Sequence, residues 1–185
     1  MAYRKTEKVL AQIEAKRNAI IAAALDVVAK SGKEGLSTDA AAIRAEVSVG
    51  TIYQYFPDKI ELFAGAVQHV MERDLKALRL AVEEYTNPTD RLIAAIKYLF
   101  STLSSNYALM KVIGNEPAYK EPMRAELARL IRAIDPSESP SILAAVAYGA
   151  VFEMGGSSSR VADKTLCTVV LRGCGVASKE LARVL

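Results

Sequence analysis

The stretch Ser48-Val49-Gly50-Thr51-Ile52-Tyr53-Gln54-Tyr55-Phe56-Pro57-Asp58-Lys59 decides the fold. Its residues serve two opposite faces of one short helix. Ser48 is placed to cap that helix with its hydroxyl. Ile52 and Phe56, four apart, turn inward, and Val47 wedges beneath them at the preceding turn. Val49, Gly50, Tyr53 and Gln54 follow i, i+1, i+4, i+5 and face outward. That outer face is small at its N-terminal end, where a helix must come close to base edges in a major groove. Upstream, Thr38 to Ala45 reads as an alanine-rich helix capped by Ser37, and Ala45-Glu46-Val47-Ser48 is a tight turn. A short helix, a tight turn and a second helix with a sealed and an open face have the layout of a DNA-binding helix-turn-helix.

Working outward, the rest of the chain also reads as helix. Ile20, Ile21, Ala24, Leu25 and Val28 follow i, i+1, i+4, i+5, i+8, and Gly32 stands where a helix begun near Lys8 or Ala15 would end. Pro57 breaks the chain after the reading helix, and Asp58 caps a long helix from Lys59 to about Tyr85. Asn87-Pro88 opens a helix to Ser105, Tyr107 to Ile113 makes a shorter one, and another runs from Tyr119 to Ile134. Two final helices are expected at 141–154 and 163–184, separated by the glycine- and serine-rich 155–159. That loop lacks the lysine and preceding strand of a phosphate cradle. Thr165 to Leu171 is the only strand-like run, and it lies between helical flanks. The expected fold is all-α with about nine helices: a helix-turn-helix domain over 1–58 and a larger helical effector-binding and dimerisation domain over 59–185.

The quoted stretch, continued by Glu61-Leu62-Phe63 and preceded by Ala23-Ala24-Leu25, Ala29 and Gly32, resembles the signature of TetR-type transcriptional regulators. The resemblance covers roughly residues 15 to 65. It implies that Val49, Gly50 and Tyr53 meet bases, and that Gln54 can pair with adenine. It further implies that Thr38, Thr51, Tyr55 and Lys59 hold phosphates, while Lys16 and Arg17 reach the backbone. Ser37 and Ser48 either add phosphate bonds or act as caps alone. Two positions depart from the family pattern. The turn residue, usually glycine, is Glu46, which has to adopt a strained backbone or reshape the turn. The usually basic head of the reading helix is Val49, suited to a thymine methyl.

One such unit makes few base contacts, so the resemblance implies a homodimer reading a palindromic operator in double-stranded DNA. The last two helices are rich in Ala144, Ala145, Ala147, Gly149, Ala150, Gly173, Gly175 and Ala177, which permit close helix approach. They would form the dimer seam, or alternatively close the monomer core. Tyr98, Phe100, Tyr107, Met110, Tyr119, Met123, Tyr148 and Phe152 fall in segments expected to line the interior of the regulatory half. They suit a small hydrophobic or amphipathic effector that releases a repressor from its operator. His69, on the long helix, serves a ligand or a polar network, and the latter reading is preferred.

Composition narrows the function classes. Hydrophobic residues make up 51% and charged residues 24%, which excludes a disordered chain. With one histidine and two cysteines, Cys167 and Cys174, no metal cluster, cofactor site or catalytic triad is expected. The cysteines lie seven apart, about 10 Å along a helix, too far to bridge. No apolar run reaches the ~18 residues of a membrane span, and no secretory leader is evident, so a cytoplasmic location is expected. The net charge of +3 is located in the first 17 residues: Arg4, Lys5, Lys8, Lys16 and Arg17 stand against Glu7 and Glu14. A basic leader on a neutral body points to an anionic partner, although a solvated terminus has the same composition. The competing reading is a helical adaptor whose helix-turn-helix has lost DNA binding.

Overall fold

Helix follows helix through the computed structural model, which describes residues 7–134, 136, 140–154, 160–173 and 176. Among these residues there are nine helices and no strand: α1 (Glu7–Ser31), α2 (Thr38–Ala45), α3 (Val49–Tyr55), α4 (Lys59–Glu83), α5 (Pro88–Ser105), α6 (Tyr107–Ile113), α7 (Pro117–Arg132), α8 (Pro140–Met154) and α9 (Arg160–Gly173). The all-α reading therefore holds, and the strand-like run Thr165 to Leu171 is helical, within α9. Residues 155–159, with the expected loop, lie outside the described residues. So do Cys174, Gly175, Ala177 and the expected continuation of the last helix to residue 184.

Local chemistry sets the boundaries. Gly32 takes φ 71°, the left-handed conformation that lets the chain leave α1 without a Cβ clash. The Asn87 side chain accepts from the backbone N–H of Thr89 at 2.8 Å, and Pro88 occupies the first turn of α5, where its missing N–H costs nothing. Pro117 opens α7 in the same way.

The chain divides into two compact units, Met1–His69 and Val70–Leu185. In the first, Ile20, Ile21, Ala24 and Val28 of α1 close over Ala41 and Ala42 of α2 and Ile52 of α3, all at most 2% exposed. The opening turns of α4 belong to this unit. The Lys33 ammonium lies 4.4 Å from the Phe63 ring centre. A Cβ added at Gly65 would meet the Phe56 ring at 2.8 Å, so only glycine lets that ring sit against α4.

The second unit is built on α5, whose Leu92, Ile96, Leu99 and Leu103 make a buried stripe at i, i+4, i+7, i+11. Met110 and Ile113 of α6, Met123, Leu127 and Ile131 of α7, Ala147 and Val151 of α8, and Cys167 and Leu171 of α9 complete its core. Gly114, after α6, is covered so closely by the Phe152 ring that a Cβ there has no room.

Candidate nucleic-acid interface

Three caps position the reading helix. The Ser37 hydroxyl accepts from the Ala40 N–H at 3.0 Å and starts α2. The Ser48 hydroxyl accepts from the Thr51 N–H at 3.1 Å and starts α3, while its Oγ also lies 2.9 Å from the Thr51 hydroxyl. One Asp58 carboxylate oxygen accepts from the Ile60 N–H at 2.7 Å and the Glu61 N–H at 2.9 Å, starting α4 immediately after α3. Each satisfies helix-end donors that would otherwise go unpaired.

Between α2 and α3, Glu46 sits at φ 55°, ψ 41°, and its N–H closes the end of α2. The turn keeps the left-handed geometry that glycine adopts easily, with a glutamate strained into it. A second pin holds α2 from outside. Arg44 hydrogen-bonds to Asp26 of α1, and Lys30 reaches the same carboxylate at 3.0 Å. Arg44 first, then Lys30, keeps the Asp26 carboxyl below the usual carboxylate range.

The two faces of α3 differ sharply. Ile52 is 0% exposed and Phe56, just beyond the helix, is 3% exposed, whereas Tyr53 is 54% exposed. Gln54 and Gly50 are also exposed, and Val49, Thr51 and Tyr55 are half-buried. A Cβ built at Gly50 would meet only the Ser48 Oγ, at 3.8 Å, so packing within the chain does not require glycine there.

Of the expected phosphate-holding residues, Lys16, Ser48 and Lys59 are exposed, and Ser37 and Arg17 are half-buried. The Arg17 guanidinium stacks 5.2 Å over the Phe56 ring, which places the root of α1's basic end beside the end of α3. Thr38 is buried at the start of α2, with little hydroxyl surface to offer.

The expected effector-lining residues differ in burial. Tyr119, Met110, Met123 and Tyr148 are buried, and Tyr98, Phe100 and Phe152 are half-buried. Tyr107 corrects the expectation of an interior position. It is the first residue of a seven-residue helix that closes on Met110 and Ile113, and it stands 42% exposed. The Tyr148 hydroxyl donates to the Gly114 carbonyl at 2.8 Å, and its ring stacks on Phe152 at 4.7 Å. A groove of about 200 Å³ lies elsewhere, lined by Glu121, Arg124, Ala125, Ala128 and Ser141.

Two buried carboxylates escaped the sequence reading. Asp74, on α4, accepts from the Tyr119 hydroxyl and from Arg73, each at 2.8 Å. Burial first, and then the Asp74 charge, pushes the Tyr119 hydroxyl far above the ordinary tyrosine range. The same two causes raise Tyr98 and Tyr148. Glu126, on α7, is clasped by Arg129 and by Arg79 of α4. Burial pushes its carboxyl up, but the two guanidiniums outweigh burial and hold it below the usual range.

Residues 20–66, which contain all of α2, α3 and the turn between them, match the model for bacterial regulatory proteins of the tetR family. Over those residues the chain resembles the TetR family of transcriptional regulators. The chain is 35% identical over 99 residues to the HTH-type transcriptional repressor KstR of Mycolicibacterium smegmatis, a match covering 53% of this chain and 48% of that protein. It is 27% identical over 110 residues to the HTH-type transcriptional activator FasR of the same species, covering 60% of this chain and 50% of that one. The chain spans about half the length of the curated relatives it matches. A crystal structure of the transcriptional regulator FadR from Bacillus subtilis, in complex with stearoyl-CoA, superimposes with a TM-score of 0.72 at 17% identity, covering 84% of this chain and 98% of that one. At that identity the likeness speaks to the fold alone. No described helix of this chain is long and apolar enough to cross a membrane.

Proposed function

We propose that this chain is a TetR-family regulator, a ligand-responsive repressor that binds a palindromic operator as a homodimer and is released by a small hydrophobic or amphipathic effector. The observation that carries the reading is the outward face of α3: exposed Tyr53, Gln54 and Gly50 on a helix whose other face is sealed by Ile52. In this reading Val49, Gly50, Tyr53 and Gln54 meet base edges. Lys59, Tyr55 and Thr51, with Lys16 and Arg17, hold the phosphates, and Ser37, Thr38 and Ser48 border the same surface. Repression is supported by the KstR match, the strongest in identity of those described above.

A homodimer is supported by apolar side chains that α8 and α9 leave in water: Ile142 is 67% exposed, Val146 53% and Val169 57%. Such surface needs a cover. The effector class is supported by the aromatic and methionine side chains of α5–α8 and by the acyl-CoA held by the structurally similar FadR. The effector's action on DNA binding is proposed to pass through α4, Lys59–Glu83. The ligand acts only through its different affinity for the DNA-competent and DNA-incompetent states.

Selection of bound sites from a random DNA pool tests the reading directly, with an inverted repeat as the expected product. Gel shifts on the selected site and on random DNA then separate the roles. Lys59→Ala weakens binding to both DNAs alike, whereas Tyr53→Ala lowers the operator-to-random ratio by about tenfold or more, as loss of base contacts worth about 1–3 kcal/mol requires. Recovery of no preferred site would favour the adaptor reading instead.

A further inference from the structure

Glu46 strains the turn it occupies, and no hydrogen bond or ion pair among the described residues uses its side chain. Of those residues it alone carries a Cβ at positive φ. The bonds that close the turn come from the backbone: the Glu46 N–H reaches the end of α2, and the Val47 N–H reaches the Ala42 carbonyl. Glycine would supply them equally and without strain. α3 has its cap in Ser48, so its start does not depend on the glutamate. Arg44, the basic residue two positions away, hydrogen-bonds to Asp26 instead, and its charge is favoured first by Asp26 and last by Glu46. The carboxylate is exposed.

Its place is at the mouth of the reading helix. Glu46 precedes the Ser48 cap by two residues and Val49 by three, at most about 11 Å of chain. Val49 and Gly50 form the end of α3 that comes nearest to base edges in the reading above. Between Thr38 and Tyr55, Glu46 and Asp39 are two acids against one base, Arg44. A carboxylate brought against DNA is repelled by phosphates unless a donor faces it. In the major groove such donors are amino groups on bases. Adenine's stands beside N7, an acceptor that repels a carboxylate, whereas cytosine offers its amino group alone. Backbone strain kept beside a binding surface points to a use at that surface.

Given the reading of α3 as a DNA-reading helix, on which this rests, we propose that Glu46 is a specificity-determining residue outside that helix. Its carboxylate accepts from a cytosine amino group at one position of each half-site, and repels phosphate wherever that base is missing. Specificity is a difference between two affinities. One charge here acts on both, strengthening the operator complex and weakening the random one. The glutamate is the less stable choice for the turn and the more discriminating one.

The full chain is compared with three variants at about 150 mM KCl, near physiological ionic strength. Glu46→Gln removes the charge but keeps the shape and the strain, and Glu46→Gly removes charge and strain together. Glu34→Gln removes an equally exposed charge from the loop before α2. Circular dichroism verifies that each variant keeps its helix content. Bound sites are selected from a random DNA pool for each protein, and affinities are measured on the wild-type site and on random DNA. Both Glu46 variants are expected to lower the operator-to-random ratio by about tenfold, the size of one side-chain–base contact. They bind random DNA more tightly, and their selected sites lose a cytosine preference at a single position of each half-site, with the other positions unchanged. Glu34→Gln keeps the wild-type ratio and site. An unchanged ratio in Glu46→Gln overturns the proposal. So does an equal fall in Glu34→Gln, which would mark a net-charge effect, or a fall confined to Glu46→Gly, which would assign it to the backbone of the turn. If the wild-type chain selects no site at all, the reading of α3 fails first, and that outcome is visible before any variant is made.

Discussion

Glu46 stands in left-handed backbone, φ 55° and ψ 41°, where an L side chain with a Cβ costs about 1–2 kcal/mol more than glycine. The turn between α2 and α3 nevertheless closes, with the Glu46 N–H on the α2 carbonyls and the Val47 N–H on Ala42 at 3.0 Å. Burial of Ile52 and the Ser48 cap therefore overcome the local penalty. Glu46→Gly removes the strain and gives back part of it as unfolded-chain entropy. A net gain of about 0.5–1 kcal/mol is expected, read as a higher urea midpoint with an unchanged m-value. A lower midpoint would mean that the glutamate side chain makes a contact worth more than the strain. The position was legible beforehand because a glutamate in a glycine slot leaves only two options, strain or a different turn, and the coordinates select strain. The Asp26–Arg44 pin was not legible. Its partners are 18 residues apart on separate helices, and nothing in a spacing of that length marks a contact.

At the scale of elements, prolines, Asn and Asp caps and apolar registers located the helices closely, since each boundary has a local chemical cause: Asp58 before α4, Asn87-Pro88 before α5, Gly32 after α1. What local chemistry could not announce is the polar seam between α4 and α7. One signal was present. Asp74 falls in the register of Val67, Val70, Met71, Leu78 and Val82, all buried, so a charge occupies the apolar stripe of α4. Its donor, Tyr119, is 45 residues away, beyond any periodicity argument. Removing that hydroxyl leaves one oxygen of a buried carboxylate short of a donor, so Tyr119→Phe is expected to cost about 1–3 kcal/mol.

The same seam sets the pH limits of the second unit. Tyr119 is raised in the folded state, so its contribution is fully present below the unfolded value of about 10 and is lost as pH rises beyond it. Glu126 is lowered, so its contribution is present above about 4.3 and is lost as pH falls through its folded value. Urea midpoints measured across the pH range should show Tyr119→Phe flattening the alkaline limb and Glu126→Gln flattening the acid limb. Limbs that keep their wild-type steepness in both variants would remove these two groups from the pH response.

For the molecule as a whole, the deciding quantity is whether two reading heads act together. Ile142, Val146 and Gly149 follow i, i+4, i+7 along α8, and a Cβ built at Gly149 meets nothing within 4 Å. The stripe is apolar, exposed and open enough for another backbone to approach, and Val169 of α9 is exposed as well. In the proposed reading a single α3 would make few base contacts and bind weakly, and coupling two of them on half-sites about 34–36 Å apart would make the second binding event intramolecular and raise affinity by about 10²–10⁴-fold. Val146→Arg places a charge in the centre of the stripe without touching the core, since that side chain is already 53% exposed. Size-exclusion chromatography with light scattering is expected to show a monomer, circular dichroism an unchanged helix content, and gel shifts an operator affinity lower by at least about a hundredfold. A variant that stays dimeric would move the seam away from α8. A variant that is monomeric yet binds the operator as tightly as wild type would mean that one reading head suffices.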